Sequence, residues 1–239
     1  MKRFLKDCLG LLARTKIIGP LLIRGSSFVA SAGHCDVIFY DDPKRSKVID
    51  LVRSIHRETT MILGDCEAYQ VYMAVERTSK VPGDLAEVGT FRGGSAKIIC
   101  EAKGNRVLHV FDTFEGLPSL TQTDNPEEFR EGQFKSSFEE VRLFLSKYAN
   151  LHLYKGLFPS TAGPITDIRF SFVNLDVDLH ESTLACLEFF YPRMSRGGVI
   201  LSHDYMSTPG VRRAFDDFFR EKPEPIIEMA GSQCLVVKL

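Results

Sequence analysis

The chain has 239 residues, and its 30 Lys and Arg against 31 Asp and Glu give a formal net charge of −1. Hydrophobic residues make up 44% and charged residues 26%, values that exclude a disordered, collagen-like or coiled-coil chain. The balanced charge argues against a general binder of nucleic acid or of anionic membranes, because such proteins carry a basic surplus.

The first 50 residues are predicted to form an N-terminal extension, helical and irregular, ahead of a single domain at 51–239. Basic residues end the apolar run at 9–13, and Gly19 and Pro20 interrupt the run at 17–23. Both runs are shorter than the roughly 20 residues of a membrane span, and a signal peptide needs an unbroken apolar region. We therefore expect no stable membrane insertion. The extension is interpreted as an amphipathic helix that packs on the domain or on a second copy of the chain. The sequence is therefore compatible with a homo-oligomer.

The cysteines are dispersed along the chain and form no CxxC pair. They are Cys8, Cys35, Cys66, Cys100, Cys186 and Cys234. A chain of this length needs no disulfide to stabilise its core, so we expect free thiols in a reducing compartment. The cysteine spacing also excludes a cysteine-based zinc site. These features favour a cytoplasmic protein.

Short apolar runs alternate with helical patterns along the rest of the chain. After a mostly helical stretch at 48–80, the predicted strands are 85–88, 107–111, 151–154, 170–175, 199–201 and a closing hairpin at 226–229 and 234–238. The predicted helices are 95–102, 138–148, 181–191 and 211–219. A turn is predicted at 195–198 and a long polar loop at 113–135. This order predicts a mostly parallel α/β sheet with helices on both faces and an antiparallel strand at its C-terminal end.

A glycine-rich turn follows the first predicted strand, where parallel sheets bind ligands. Gly89 permits a tight turn, and Gly93 and Gly94 let the backbone approach a ligand at the start of a helix. The spacing is neither GxGxxG nor GK[ST], which excludes the dinucleotide fingerprint and the phosphate-binding P-loop. A glycine-rich turn without a phosphate signature suits a ligand such as S-adenosylmethionine. The alternative is that the glycines serve packing alone.

Asp112 ends the second predicted strand, about 20 residues beyond the glycine turn. An acid at this position suits hydrogen bonding to the hydroxyls of a ribose. The alternative is a solvated aspartate at a strand end. Together with the glycine turn, Asp112 favours a nucleoside-containing ligand.

Polar residues also end the fourth and fifth predicted strands. Asp176 and Asp178 follow the fourth strand, and His203 and Asp204 follow the fifth. Because these parallel strands are expected to be neighbours, Asp176, His203 and Asp204 should meet at one edge of the sheet. Two carboxylates and an imidazole suit a divalent cation, which would offset the repulsion between the carboxylates. The alternative is that each group is solvated or bonded to loop amides.

Five sequence blocks stand in a fixed order between residue 50 and the C-terminus. They are 57–61 (RETTM), 81–94 (VPGDLAEVGTFRGG), 111–118 (FDTFEGLP), 175–183 (LDVDLHEST) and 197–205 (GGVILSHDY). Together they resemble the macrocin O-methyltransferase family. The resemblance implies a class I methyltransferase fold, which is Rossmann-like, and S-adenosylmethionine as methyl donor. It also implies a magnesium-assisted transfer to a sugar hydroxyl in natural product biosynthesis.

The resemblance further implies roles for individual residues. The implied donor-binding residues are Met61, Glu87, Gly89, Gly93, Ser95, Asp112, Thr113, Gly156 and Leu157. Among them, Ser95 would bind the donor carboxylate and Asp112 the ribose. The turn at 156–157, which is Gly156 and Leu157, would border the adenine. The implied metal ligands are Asp176, His203 and Asp204.

His203 departs from the family, which usually has an aspartate at this position. A neutral, softer ligand favours manganese or another transition metal over magnesium. His203 would otherwise act as a base beside two metal-binding carboxylates, or the metal dependence would be lost. The expected reaction is an in-line attack of a substrate hydroxyl on the sulfonium methyl, with Asp178, His180 or His203 as the base and Asp176 as a metal ligand.

Two other functions compete with this interpretation. The DxD at 176–178 is typical of glycosyltransferases that hold a metal and a nucleotide sugar, but that function leaves the glycine turn and Asp112 unexplained. The second alternative is a diverged, non-catalytic protein that binds S-adenosylmethionine. In all cases we expect a small-molecule or sugar partner and no nucleic acid, with the loop at 113–135 forming part of the acceptor pocket and its lid.

Overall fold

A computed structural model describes residues 43–239 of the chain. Most of the predicted N-terminal extension therefore lies outside the described residues, as do Cys8 and Cys35. The first described helix, α1 (Pro43–Glu58), crosses the domain boundary predicted between residues 50 and 51.

The remaining elements alternate in the predicted order. The other helices are α2 (Asp65–Arg77), α3 (Gly94–Ala102), α4 (Phe138–Phe144), α5 (His180–Phe190) and α6 (Pro209–Phe219). The strands are β1 (Asp84–Val88), β2 (Leu108–Asp112), β3 (Leu151–Lys155), β4 (Phe170–Leu175), β5 (Met194–Ser202), β6 (Ile227–Glu228) and β7 (Cys234–Val237). Short 3-10 turns lie at Thr78–Lys80, Gly163–Ile165 and Tyr191–Arg193.

The seven strands form one sheet in the order β3-β2-β1-β4-β5-β7-β6. The first five strands of this order run parallel, whereas β7 pairs antiparallel with β5 and β6 pairs antiparallel with β7. The predicted mostly parallel sheet with an antiparallel C-terminal end is confirmed. The strand order reverses between β1 and β4, so the carboxyl ends of these strands open onto a crevice.

The core lies on both faces of the sheet, and β4 is buried over its whole length. On one face, side chains of α1, α2 and α3, such as Val52, Val71 and Ile98, pack against the strands. On the other face, aromatic side chains of α5 and α6, including Phe190 and Phe215, fill the space. This three-layer arrangement agrees with the helices predicted on both faces.

The predicted mostly helical stretch at 48–80 is confirmed, with one interruption at 59–64 between α1 and α2. Helix α2 begins after Gly64, whose amide donates to Glu67. Two other local predictions were wrong. Helix α4 ends at Phe144 because Ser146 folds back and donates to the Leu143 carbonyl. The turn predicted at 195–198 belongs to β5, which absorbs its glycines in a register shift against β4.

The described cysteines are Cys66, Cys100, Cys186 and Cys234, and all four are free thiols. Within residues 43–239, no helix is long and apolar enough to cross a membrane.

Candidate active site

A cavity of about 310 Å³ lies at the carboxyl ends of β1, β2, β4 and β5. Most of the sequence-predicted site residues line it. They are Met61, Gly89, Ser95, Asp112, Thr113, Gly156, Leu157, Asp176, Asp178, His203 and Asp204. The structure therefore brings the predicted donor site and the predicted metal site together in one cavity.

Three predicted residues are not among those that line the cavity. Glu87 is fully buried on β1 and accepts a hydrogen bond from Asn174 at 3.0 Å. Gly93 has a φ of +78°, and a Cβ there would lie 3.2 Å from a methyl group of Val141 on α4. His180 begins α5, and its ring Nδ1 lies 3.2 Å from the neighbouring Glu181 carboxylate.

Gly89 joins the ends of three strands. Its amide donates to the Phe111 carbonyl of β2 at 2.8 Å. Its φ is +84°, and a Cβ there would lie 1.8 Å from the backbone oxygen of Asp176, which follows β4. Only glycine combines this conformation with this approach. The predicted tight turn is therefore present. It sets the distance between two halves of the cavity, one at the ends of β1 and β2 and the other at the ends of β4 and β5.

Asp112 binds backbone amides of the loops around it. Its Oδ2 accepts from the amides of Thr90 and Phe91, both at 2.8 Å, and its Oδ1 accepts from the amide of Phe114 at 2.6 Å. Burial raises the pKa of Asp112, and the three amides only partly oppose this rise. A carboxylate has about four acceptor positions, so one remains for a ligand in the cavity.

Glu87 lies next to this half of the cavity in the chain but does not line it. Burial raises its pKa to about 7, although the bond from Asn174 acts in the opposite direction. Its Oε2 has no hydrogen-bond partner among the described residues. The register explains its position, because Glu87 of β1 is paired directly with Asn174 of β4.

The ends of β4 and β5 bring two carboxylates to one imidazole. The Nδ1 atom of His203 lies 2.8 Å from Asp204 Oδ2 and 3.4 Å from Asp176 Oδ1. One ligand atom from each of these three residues can be chosen so that all lie within 4.8 Å of one another. Neither ring nitrogen of His203 has an aligned hydrogen bond among the described residues. The predicted convergence of the three side chains is thus present.

A fourth charged residue, Glu67 of α2, reaches the same imidazole from the other side. Its Oε2 lies 3.3 Å from His203 Nε2 and accepts from the Gly64 amide at 3.0 Å. Its Oε1 accepts from the amide and the hydroxyl of Ser232, both at 2.8 Å. Sequence reasoning missed Glu67, since a glutamate three residues after Gly64 indicates only a helix cap.

The electrostatics of this group follow from its burial. Burial lowers the pKa of His203, but Asp176, Asp204 and Glu67 outweigh it and raise that pKa well above its usual value. Burial raises the pKa of Glu67, yet His203 and the hydrogen bonds around it lower that pKa to about 2. Asp178 has a left-handed φ of 59°, and burial together with Asp176 and Asp204 raises its pKa.

The loop between β2 and α4 forms one wall of the cavity. Glu128, Phe129 and Phe134 of this loop line it. Buried Asp124 accepts from the amide of His180 at 2.9 Å and so ties the loop to the first residue of α5. The signal in the sequence was the long polar loop itself, but nothing in it indicated this contact.

The strand order, the glycine turn after β1 and the acid after β2 define a class I methyltransferase fold. The solved structure of the O-methyltransferase NovP supports this class: it has a TM-score of 0.69 at 24% identity and covers 81% of this chain and 99% of that one. The chain matches the family described as Macrocin-O-methyltransferase (TylF) over residues 39–232, and it belongs to this family.

Two curated relatives give the range of similarity. The 8-demethyl-8-(2,3-dimethoxy-alpha-L-rhamnosyl)-tetracenomycin-C 4'-O-methyltransferase of Streptomyces olivaceus is 32% identical over 169 residues, which cover 64% of each chain. The demethyldecarbamoylnovobiocin O-methyltransferase of Streptomyces niveus is 28% identical over 155 residues, which cover 59% of each chain. The matched region therefore spans less than two-thirds of the length of these relatives.

Proposed function

We propose that the protein is an S-adenosylmethionine-dependent O-methyltransferase that methylates a hydroxyl on the sugar of a glycosylated small molecule. The observation that carries this proposal is the single cavity that joins the glycine turn and Asp112 to the cluster of Asp176, His203 and Asp204. The acceptor class is supported by the names of the relatives, which describe transfer to rhamnosyl and novobiocin compounds.

The donor is proposed to occupy the β1–β2 half of the cavity. S-adenosylmethionine supplies a methyl group on a positively charged sulfonium. Asp112 would accept a hydrogen bond from the ribose at its remaining acceptor position, and Ser95 at the start of α3 would bind the carboxylate of the donor. Met61 packs beside Gly94, where a Cβ would lie 2.8 Å from the Met61 Cβ, so Met61 covers this end of the cavity.

A divalent cation is proposed to bind Asp176, His203 and Asp204. The fit rests on the donor set, which is two carboxylates and an imidazole whose ligand atoms lie within 4.8 Å of one another. An imidazole in the set favours manganese over magnesium. When bound, such a cation lowers the pKa of an acceptor hydroxyl.

Asp178 is the proposed general base. It lines the cavity next to Asp176 and stands outside the group of three ligands, so its carboxylate stays available for a proton. His180, the second candidate, does not line the cavity and faces Glu181 instead. His203, the third candidate, lies between carboxylates on both of its ring nitrogens.

The test combines binding with transfer. Calorimetry should detect S-adenosylmethionine and should not detect a nucleotide sugar. Transfer of a labelled methyl group to rhamnosyl glycosides should proceed with added Mn²⁺ and stop with excess chelator. Binding of a nucleotide sugar instead would favour a glycosyltransferase. Donor binding without transfer to any glycoside would indicate a non-catalytic binding protein, and unchanged transfer with chelator would exclude the cation.

A further inference from the structure

We propose that Glu67 is a positioning residue that fixes the ring of His203, so that Nδ1 faces Asp176 and Asp204. The inference rests on the proposed function, because it assigns Glu67 to the proposed cation site. Glu67 lies on α2, more than 100 positions before His203 in the chain, and it does not line the cavity. Its role is therefore exerted through the imidazole.

The first step is the orientation of the ring. His203 Nε2 lies 3.3 Å from Glu67 Oε2, whereas Nδ1 lies 2.8 Å from Asp204 Oδ2. The two nitrogens therefore face carboxylates on opposite sides. A histidine ligand uses one nitrogen for the cation, and the group beside the other nitrogen sets the tautomer and the ring angle. Here that second group is Glu67, which faces Nε2 as an opposite charge at 3.3 Å rather than through an aligned hydrogen bond, and this leaves Nδ1 for the cation.

The second step is the rigidity of Glu67 itself. Its two oxygens accept three hydrogen bonds, from the Gly64 amide and from the amide and hydroxyl of Ser232. A Cβ on Gly231 would lie 2.6 Å from Glu67 Oε1, so the turn between β6 and β7 is shaped around this carboxylate. The side chain of Glu67 is only 13% exposed. A carboxylate held in this way can hold the imidazole in turn.

The third step connects Glu67 with Asp204. The Asp204 amide donates to the Ser232 hydroxyl at 3.3 Å, and that hydroxyl donates to Glu67 at 2.8 Å. Glu67 thereby fixes the backbone of one proposed ligand as well as the ring of another. No other charged residue among the described residues is placed to do both, since Asp176 contacts the same nitrogen as Asp204.

The experiment measures the affinity of the full chain for Mn²⁺ by calorimetry. Glu67→Ala should weaken that affinity by about 10- to 100-fold, the usual effect of losing the group that orients a histidine ligand. Glu67→Gln keeps an acceptor oxygen and should lie between the alanine variant and the unaltered protein. This variant also serves if Glu67→Ala does not fold.

Gln70→Ala is the matched control. Gln70 lies on the same helix and donates to the Ala230 carbonyl at 2.8 Å and to Gln233 at 2.7 Å, so it ties α2 to the same hairpin without touching His203. It should lower the melting temperature and leave the Mn²⁺ affinity unchanged. Equal Mn²⁺ affinities for Glu67→Ala, Gln70→Ala and the unaltered protein would overturn the inference, because Glu67 would then be a structural tie only.

A double-mutant cycle separates action through the ring from a general electrostatic effect. In the His203→Asp background there is no ring to orient, so Glu67→Ala should no longer weaken Mn²⁺ binding. The same loss in both backgrounds would contradict the inference. If the unaltered protein bound S-adenosylmethionine but no Mn²⁺, the inference and the cation would both fail while the donor site stood. Loss of donor binding would instead refute the proposed function.

Discussion

The two halves of the cavity hold their carboxylates in different ways. In the β1–β2 half, Asp112 accepts from three backbone amides, so its position is fixed by the loops that carry those amides. In the β4–β5 half, the Asp176 and Asp204 carboxylates face His203, and that imidazole faces Glu67 behind it. The first half is organised by the backbone, whereas the second depends on the balance between side-chain charges.

This difference decides how each half responds to a missing group. Backbone amides cannot leave, and hydrogen bonds from them to a charged acceptor contribute about 1.5–3 kcal/mol each. In a cluster of charged side chains, each buried charge is stabilised by its neighbours. Removal of one neighbour leaves the others buried without a compensating charge. The donor half should therefore be complete before its ligand binds, whereas the cation half should be sensitive to each of its members.

The largest effect is expected at Gly89, where the two halves meet. Gly89→Ala would place a Cβ 1.8 Å from the Asp176 backbone oxygen at a φ of +84°. The backbone conformation alone costs about 1–3 kcal/mol, and the collision displaces the end of β4 as well. Urea unfolding should report the lower stability, and calorimetry should report loss of both S-adenosylmethionine and Mn²⁺ binding.

Gly104→Ala is the control for that substitution. Gly104 also has a left-handed φ, +62°, but a Cβ there would meet nothing within 4 Å. It should lose stability through the backbone conformation only and should keep both ligands. If Gly89→Ala resembled Gly104→Ala, the close approach at Gly89 would not connect the two halves.

The next largest effect is expected at Asp176. Asp176→Asn keeps the shape of the side chain but removes a charge that faces His203 at 3.4 Å. Because the neutral amide oxygen of asparagine is a weaker ligand than a charged carboxylate, Mn²⁺ affinity and cation-stimulated transfer should fall by about 100-fold or more. Donor affinity should change little, since the β1–β2 half stays intact.

Asp217→Asn is the matched control for Asp176→Asn, because Asp217 is a half-exposed aspartate on α6 that pairs with Arg213 and Arg220. It should bind Mn²⁺ like the unaltered protein. Full cation-stimulated transfer by Asp176→Asn would exclude Asp176 as a ligand.

A smaller effect is expected at Asp112, and it should concern the donor rather than the cation. Asp112→Asn replaces one of the two acceptor oxygens with an NH2 group, which cannot accept from the amides of Thr90, Phe91 or Phe114. Loss of one or two such bonds should weaken S-adenosylmethionine binding by about 10- to 100-fold and leave Mn²⁺ affinity unchanged. Parallel titrations of both ligands test this separation. A variant with normal donor affinity would show that the ribose binds elsewhere.

The β1–β2 half of the cavity could be predicted from the sequence. The glycine turn and Asp112 each stand at the end of a predicted strand, so a short stretch of sequence is enough to identify them. The meeting of Asp176, His203 and Asp204 was also predictable, because neighbouring parallel strands end at the same edge of a sheet. In these cases chain order alone determines which side chains meet.

Other contacts could not be predicted, because they join distant segments. Glu67 reaches His203 from a helix far earlier in the chain, and its local role as a cap of α2 conceals the second role. Asp124 reaches α5 from an irregular loop that has no periodicity to indicate its direction. Glu87 and His180 show the converse error, since both are next to lining residues in the chain but do not line the cavity themselves.

The smallest expected effect concerns Glu87, a fully buried carboxyl group that does not line the cavity. Its pKa is raised from 4.5 to about 7 by burial. Between these two pH values the unfolded chain releases this proton while the folded chain keeps it, so the group makes the protein less stable as pH rises through this window. Glu87→Gln removes the titration, since an amide stays neutral at all these pH values.

The free energy of unfolding, measured in urea at pH 5 and at pH 7, should therefore fall for the unaltered protein relative to Glu87→Gln, by on the order of 2 kcal/mol. Asp112 and Asp178 also have raised pKa values and also make the protein less stable as pH rises. Because both proteins contain them, their contributions cancel in the difference between the two free energies of unfolding. Glu221→Gln, at an exposed position, should show no such relative change. An equal difference between the unaltered protein and Glu87→Gln at both pH values would mean that Glu87 is charged in the folded chain. The β1–β2 half would then carry an additional buried negative charge, and the contrast between the two halves would be smaller than the hydrogen bonds indicate.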